Sequence, residues 1–265
     1  MAEDVLKKIY AAKAHHLATE MERESYDAVR ARALASIASR RPLLARLQAR
    51  SGDAIICEIK RASPSAGLIA RDFDPIEIGK TYERAGADAI SILTESDHFL
   101  GDIAFLEQVR GVTSLPLLRK DFLTTPYQIA QSAAYGADAV LLIIAGLTDE
   151  QTRACLEEAR AYELDVLVEV HDAQDLDRAL AFGATWIGVN NRNLRTMITD
   201  LAVSEHLLPQ VPTTVFAISE SGMRDLGDIE RLRRAGARGF LIGEALMRSE
   251  DPGALIASLK HVHAR

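Results

Sequence analysis

Short apolar runs recur along this chain, and between them lie longer segments in which apolar positions return every three or four residues. The first kind of pattern belongs to buried strands and the second to amphipathic helices. Read this way, strands are expected near 54–60, 88–94, 115–120, 138–144, 164–169, 186–190, 213–219 and 239–243. Helices are expected over 75–85, 103–110, 126–135, 149–162, 173–182, 203–208, 226–235 and 252–261. Cap residues such as Thr148 and Asp225 open two of them.

A loose repeat runs through the same pattern. Gly86-Ala-Asp, Gly136-Ala-Asp, Gly183-Ala-Thr and Gly236-Ala-Arg each follow a helical segment and precede an apolar run. A glycine there supplies a left-handed C-cap, and the alanine lets the next strand start in close packing. Successive marks leave room for two strand-helix units, so four marks imply eight. Regular alternation means a parallel sheet with helical crossovers, and eight units at this length favour a closed (β/α)8 TIM barrel over an open doubly wound sheet.

Residues 1–50 precede the first strand and stand outside the repeat. Ile9, Tyr10 and Ala12, then the charged stretch 20–24, then 34–47, read as two amphipathic helices. The expected organisation is a helical extension over 1–50 packed on a catalytic barrel over 51–265, the extension serving either as a plug at the bottom or as a lid over the mouth.

Composition narrows the function classes. Of 265 residues, 48% are apolar, enough for a substantial core, and the net charge of −7 argues against nucleic acid or an anionic membrane as partner. Cys57 and Cys155 have no metal-like or redox-like spacing and read as reduced structural thiols. The start Met1-Ala-Glu-Asp-Val-Leu-Lys-Lys lacks the apolar segment of a signal peptide. The longest apolar run, 139–146, falls far short of the ~20 residues that span a bilayer. A cytoplasmic protein is expected.

Against this background the charges that end the apolar runs stand out. Lys120 closes 115–120, Glu58 and Lys60 close 54–60, Glu169 closes 164–169, and Glu220 ends 215–220. Alternation puts Glu58 and Lys60 on the face of Ile56, Lys120 on that of Leu118, and Glu169 on that of Leu167. Polar residues at the carboxyl ends of barrel strands point into the mouth where active sites form. Lysines mixed with carboxylates can be tuned toward separate acid and base tasks. Ser221-Gly222 after the seventh strand and Gly243 after the eighth lie where such barrels hold a phosphate with backbone N–H groups.

Other residues take a plain reading. His15 and His16 are expected to be solvated, and His171 has no partner spacing for a metal. Arg40, Arg41, Arg233 and Arg234 read as solvated helix charges, and Trp186 as a packing residue near the start of the sixth strand.

The strings Glu58-Ile-Lys-Arg-Ala-Ser-Pro-Ser65, Leu118-Arg-Lys-Asp-Phe122, Leu167-Val-Glu-Val170, Gly188-Val-Asn-Asn-Arg-Asn-Leu194 and Glu220-Ser-Gly222 resemble those of indole-3-glycerol phosphate synthases. The resemblance runs along essentially the whole chain. It implies a carboxy-lyase without cofactor or metal, acting on a small phosphosugar, 1-(2-carboxyphenylamino)-1-deoxyribulose 5-phosphate. That substrate closes a ring, loses carbon dioxide and then loses water. By resemblance Lys120 is the general acid on the ketone oxygen and Glu169 the general base of the dehydration. Lys60 holds the substrate carboxylate, Glu58 orients the lysines, and Asn190 and Glu220 complete the polar wall. Ser63, Pro64, Arg192, Ser221, Gly222, Gly243 and Glu244 fall at phosphate and substrate contacts, with Phe99 and Phe122 against the aromatic ring.

Three positions depart from that pattern: Ala66 where lysine is frequent, Asp102 where serine is usual, and Glu244 where serine is one common choice. Glu244 is expected to offer its backbone N–H and turn its carboxylate away from a phosphate. The resemblance leaves a monomer or a weak homo-oligomer, with a separate pathway enzyme as partner left open. The rival readings are a different phosphosugar barrel with Lys120 as a Schiff base, which needs that lysine neutral, and a barrel that binds a phosphometabolite without catalysis.

Overall fold

The computed structural model describes residues 5–70 and 72–260. The charged start at 1–4 and the expected end of the last helix at His261 lie outside them. Eight parallel strands form a closed barrel: β1 (Ala54–Ile59), β2 (Ala89–Leu93), β3 (Leu117–Lys120), β4 (Ala139–Ile143), β5 (Asp165–Val170), β6 (Trp186–Asn190), β7 (Phe216–Glu220) and β8 (Gly239–Ile242). Each strand pairs with its neighbours in sequence, and β1 with β8 closes the ring through Ala54 opposite Gly239. The register sets Glu169 beside Gly188 and Asn190 beside Glu220.

The helices are α1 (Val5–Arg23), α2 (Tyr26–Ala35), α3 (Leu43–Gln48), α4 (Pro75–Arg84), α5 (Ala104–Arg110), α6 (Pro126–Ala134), α7 (Asp149–Ala161), α8 (Ala173–Ala181), α9 (Ala202–Leu207), α10 (Leu226–Arg234), α11 (Glu244–Arg248) and α12 (Pro252–Lys260). At the four glycine marks φ is 83°, 88°, 76° and 114°, the left-handed region that a C-cap requires. The first two marks also carry an aspartate that stitches the barrel. Asp88 accepts the Ile55 N–H at 2.8 Å, and Asp138 accepts that of Leu117 at 2.9 Å.

Strand alternation divides the core in two. Ile56, Leu118, Leu167 and Trp186 fill the barrel interior, whereas Ile55, Cys57, Ile90 and Val168 pack outward against the helices. Because Leu118 and Leu167 point inward, Lys120 and Glu169, two residues on, point inward too.

Several boundaries differ from the sequence reading. Among the described residues before β1 stand three α-helices and a 3₁₀ turn, Ile37–Ser39, where two helices were expected: α2 ends at Ala35, and Pro42 caps the start of α3. A short helix, α11, intervenes between β8 and α12. Ile144–Gly146 turns as a 3₁₀ helix instead of extending the fourth strand. The loop after β1 carries a small hairpin, Ala62–Ser63 against Gly67–Leu68.

The reading of the arginines as solvated is corrected for three of four. Arg41 donates to the Leu115 carbonyl at 2.8 Å, Arg40 to the Ala137 carbonyl and to Ser36 Oγ, and Arg233 forks onto Asp53. The amino ends of strands and the preceding turns leave carbonyls and carboxylates unpaired at the barrel floor, and these guanidinium groups satisfy them. Arg234 alone stays exposed.

The first three helices touch both ends of the barrel. On α1, Tyr10 packs edge-on against Phe122 at 5.7 Å, and Lys13 pairs with Asp121 at 2.9 Å, both beyond the carboxyl end of β3. Near the other end, Leu43 and Leu47 of α3 enter the interior core, and the Leu44 N–H binds Asp165 at 2.8 Å. Between them α2 packs along α6, where Ser36 Oγ donates to the Ala133 carbonyl. No described helix is long and apolar enough to cross a membrane.

Candidate active site

A cavity of about 600 Å³ opens at the carboxyl ends of the strands. Every residue of the strand-end charge pattern lines it: Glu58, Lys60, Lys120, Glu169 and Glu220, joined by Asn190. Lys120 stands at the centre. Its Nζ lies 2.9 Å from Glu169 Oε2 and 3.0 Å from Glu220 Oε2, with only 12% of the side chain exposed. Burial alone would lower its pKa, but Glu169, Glu220 and Glu58 outweigh burial and hold the ammonium above its ordinary value. Lys60, a residue past the end of β1, donates to Glu58 Oε2 at 2.6 Å.

The two carboxylates around Lys120 are driven apart. Burial would raise the Glu169 pKa, yet Lys120 and His171 hold it well below the usual carboxylate range. Burial pushes Glu220 upward, and Glu169 and Glu58 add to this against the pull of Lys120. Like charges that share one cation cannot both ionise freely, and the pair resolves into one strong acid and one weak one.

Two glycines make room for this crowding. A Cβ on Gly188 would sit 1.9 Å from Glu220 Oε1, and one on Gly243 would sit 2.1 Å from Glu58 Oε2. The backbone approaches the carboxylates closely at both points, and a side chain there would have to push them aside.

The remaining lining sorts by chemistry. Phe99 and Phe122, ring centroids 6.1 Å apart, make an apolar wall with Leu141 and Ile143. Phe99 is held by the fully buried Glu95, whose carboxylate accepts the N–H groups of Asp97, His98 and Phe99 at 3.1, 2.8 and 3.0 Å. At the other end Ser63, Ser221, Gly222 and Gly243 converge. Ser221 adopts φ 66°, uncommon for a residue with a side chain, and Gly222 follows at 89°. Buried Asn191 fixes this turn by donating to the Glu220 and Ser221 carbonyls, each at 3.0 Å.

Arg192 ties three loops together, donating to Ser65 Oγ and to Glu244 Oε2. Glu244 therefore does not point freely toward Ser63, Ser221 and Gly222, because Arg248 and Arg192 both bind its carboxylate and lower its pKa against burial. Pro64 is the one proposed contact that the structure sets apart: it is exposed on the hairpin and does not line the cavity. The turn Ser63-Pro-Ser65 aims Ser63 inward and the proline outward.

Sequence reasoning missed His171, behind the cavity, and the partners of Asp121, which lines it. His171 Nε2 lies 3.3 Å from Glu169 Oε1, so this histidine belongs to the charge system and is not a bystander. Asp121, next to Lys120, gathers Lys13 at 2.9 Å, Arg119 at 3.0 Å and Thr94 Oγ1 at 2.6 Å. Burial would raise its pKa, and Lys13 and Arg119 bring it down to about 2. That permanent anion anchors the strand end that carries Lys120. The Asp121 and Arg119 positions stand in the family-like string, but their partner on α1 carries no local signal. Among the described residues no group of His, Cys, Asp and Glu side chains has a metal-binding arrangement.

A buried ammonium between carboxylates, an aromatic wall and a polar loop end, set in the mouth of a (β/α)8 barrel, mark an enzyme that moves protons on a small anionic and partly aromatic molecule. The profile of the family described as indole-3-glycerol phosphate synthase matches residues 6–259. The indole-3-glycerol phosphate synthase of Acidithiobacillus ferrooxidans (strain ATCC 53993 / BNL-5-31) is 40% identical over 259 residues, 97% of this chain and 98% of that protein. That of Azospirillum brasilense is 47% identical over 205 residues, 77% and 78% of the two chains. The chain thus belongs to the indole-3-glycerol phosphate synthase family, carboxy-lyases of tryptophan biosynthesis that act on a small phosphosugar. Among solved structures, thiamine phosphate pyrophosphorylase from Pyrococcus furiosus superposes with a TM-score of 0.59 at 16% identity, over 78% of this chain and 93% of that one, a likeness of fold alone.

Proposed function

We propose that Lys120 is the general acid and Glu169 the general base of indole-3-glycerol phosphate synthesis in this barrel. The observation that carries the reading is the pair of ion contacts on Lys120, 2.9 Å to Glu169 and 3.0 Å to Glu220, beside an open cavity. Carboxylates that keep the proton on the amine suit an acid, and they disfavour the neutral amine that a Schiff base needs.

In this scheme the substrate's aromatic ring lies against Phe99 and Phe122, its carboxylate meets Lys60, and its phosphate meets Ser63, Ser221, Gly222 and Gly243. The ring carbon bearing the carboxylate attacks the ketone carbon while Lys120 protonates the ketone oxygen, giving a hydroxyl. The carboxylate leaves as carbon dioxide, and its bonding electrons restore the aromatic ring. Loss of the hydroxyl as water then takes one proton delivered to the oxygen by Lys60, while one proton removed from the ring system is accepted by Glu169. Glu58 holds Lys60, and Asn190 and Glu220 bound the polar wall. Phosphate affinity rests on backbone N–H groups and Ser63, because Glu244 is already paired with Arg192. The enzyme is read as cytoplasmic and as a monomer or a weak homo-oligomer.

The test is incubation of the purified protein with 1-(2-carboxyphenylamino)-1-deoxyribulose 5-phosphate, following the indole product by fluorescence. Product formation is expected, and its absence sinks the reading in favour of a non-catalytic binder. Borohydride added during turnover is expected to leave Lys120 unmodified, whereas a covalent adduct there revives the Schiff-base rival.

A further inference from the structure

His171 lies outside the cavity lining, behind Glu169, with 16% of its side chain exposed. Its Nε2 is 3.3 Å from Glu169 Oε1, and its Nδ1 is 3.7 Å from Asp175 Oδ2. Asp175 is itself fixed on the first turn of α8: its carboxylate accepts the His171 backbone N–H at 3.1 Å, and its own N–H is capped by Asp172 at 2.9 Å. Neither ring nitrogen, nor Glu169 Oε1, has an aligned hydrogen bond to any group, so the two carboxylate contacts of the ring are ion contacts.

Ionised carboxylates only accept hydrogen bonds, and a neutral imidazole offers one N–H and one acceptor nitrogen. A ring set between two carboxylates therefore meets both only as the imidazolium. The charged groups around it are Glu169 from β5 and Asp175 from α8. Beyond Glu169 stand Lys120 of β3 and Glu220 of β7, with the Tyr10 phenol of α1 coupled to Glu169. Signs thus alternate along Asp175, His171, Glu169, Lys120 and Glu220.

That order matters at one moment of the cycle. When Lys120 gives its proton to the ketone oxygen, Glu169 loses the cation on Oε2 and keeps only the one on Oε1. We propose that His171 is a positioning residue of the reaction: as an imidazolium anchored by Asp175, it keeps Glu169 ionised and aimed at the cavity while Lys120 is neutral. The proposal rests on Glu169 acting as the base. Burial opposes the charge, yet Asp175 and Glu169 push the His171 pKa up to about 9, in keeping with the geometry.

The experiment has three arms on the full-length protein. Histidine ring NMR across pH, with the signal assigned by its loss in His171→Gln, is expected to show His171 protonated well above pH 7 and titrating lower in Glu169→Gln. Titration near the ordinary ~6.5 in the native protein overturns the proposal. In steady-state assays His171→Gln is expected to lower kcat about tenfold or more with little change in KM. Its activity should also fail at a higher pH on the acid side than that of the native enzyme, because losing a nearby cation raises a carboxylate pKa by about 1–3 units. Native kcat and an unmoved acid limb overturn it. Should His171→Gln not fold by circular dichroism, the native titration with and without bound product decides. Glu169→Gln separates the two readings: if it turns over normally, the base assignment fails whatever His171 does.

Discussion

At the amino ends of the strands, Asp138 accepts the N–H groups of Leu117 and Arg41 and a two-point contact from Arg110, all within 2.9 Å. At the carboxyl ends, Glu220 has Lys120 at 3.0 Å and no aligned hydrogen bond on either oxygen. Both carboxylates are buried. At the floor, donors saturate the acids: Asp53 takes Arg233, and Asp88 takes Ile55 N–H, Lys260 and Arg50. At the mouth, one ammonium, that of Lys120, serves two carboxylates, Glu169 and Glu220. A saturated buried charge fixes geometry, and an under-saturated one keeps proton affinity available for chemistry. The same residue types thus sit saturated at the floor and, around Lys120, under-saturated at the mouth.

Four changes probe that division. Lys120→Ala removes the shared cation at the mouth, and steady-state turnover is expected to fall by about 10² to 10⁴ while the phosphosugar still binds. Near-normal turnover would mean that the crowded mouth is structural after all. Asp138→Ala strikes the floor, and denaturant unfolding is expected to show a loss of roughly 3–5 kcal/mol because Arg110 is left unpaired. The specific activity of the folded fraction should hold, and a selective loss of kcat would erase the contrast between the ends.

Gly188→Ala sharpens it from within, since a methyl group 1.9 Å from Glu220 Oε1 must displace that carboxylate. A fall in kcat on the order of 10²-fold is expected, the usual cost of misplacing a reactive group by about 1 Å. The last effect is on stability against pH. His171 has a folded pKa raised to about 9, so its contribution is fully present below about 6.5 and is lost as pH rises through about 9. Denaturant unfolding of His171→Gln should therefore lack a decline, on the order of 3 kcal/mol, that the native protein shows across that window. Parallel curves would show that the ring is neutral.

The barrel was legible because its signals are local. An apolar run that ends in a charge two residues after an inward leucine reports both strand and facing, as at Leu118 with Lys120 and Leu167 with Glu169. The glycine marks reported helix ends for the same reason. What stayed hidden joins distant segments or crosses between elements. Lys13 meets Asp121 across 108 residues, and His171 meets Asp175 only because a strand end turns into a capped helix. Pro64 shows the opposite failure. The family-like string implied contact for Ser63 and Pro64 alike, but backbone direction within the turn sets only Ser63 in the cavity lining. Pro42 was a readable break in the amphipathic pattern, and it marks where α3 begins.

The reach of α1 has a consequence for how ligand and fold speak to each other. Tyr10 rests on Phe122 and Lys13 on Asp121, so the first helix contacts the residues on either side of the cavity wall without entering it. If a ligand orders Phe122 and through it α1, reciprocity requires an ordered α1 to tighten that ligand by the same factor. Amide exchange along α1 then becomes a gauge of occupancy read from outside the cavity, and a cut between α1 and α2 would loosen substrate binding with every reacting group still in place.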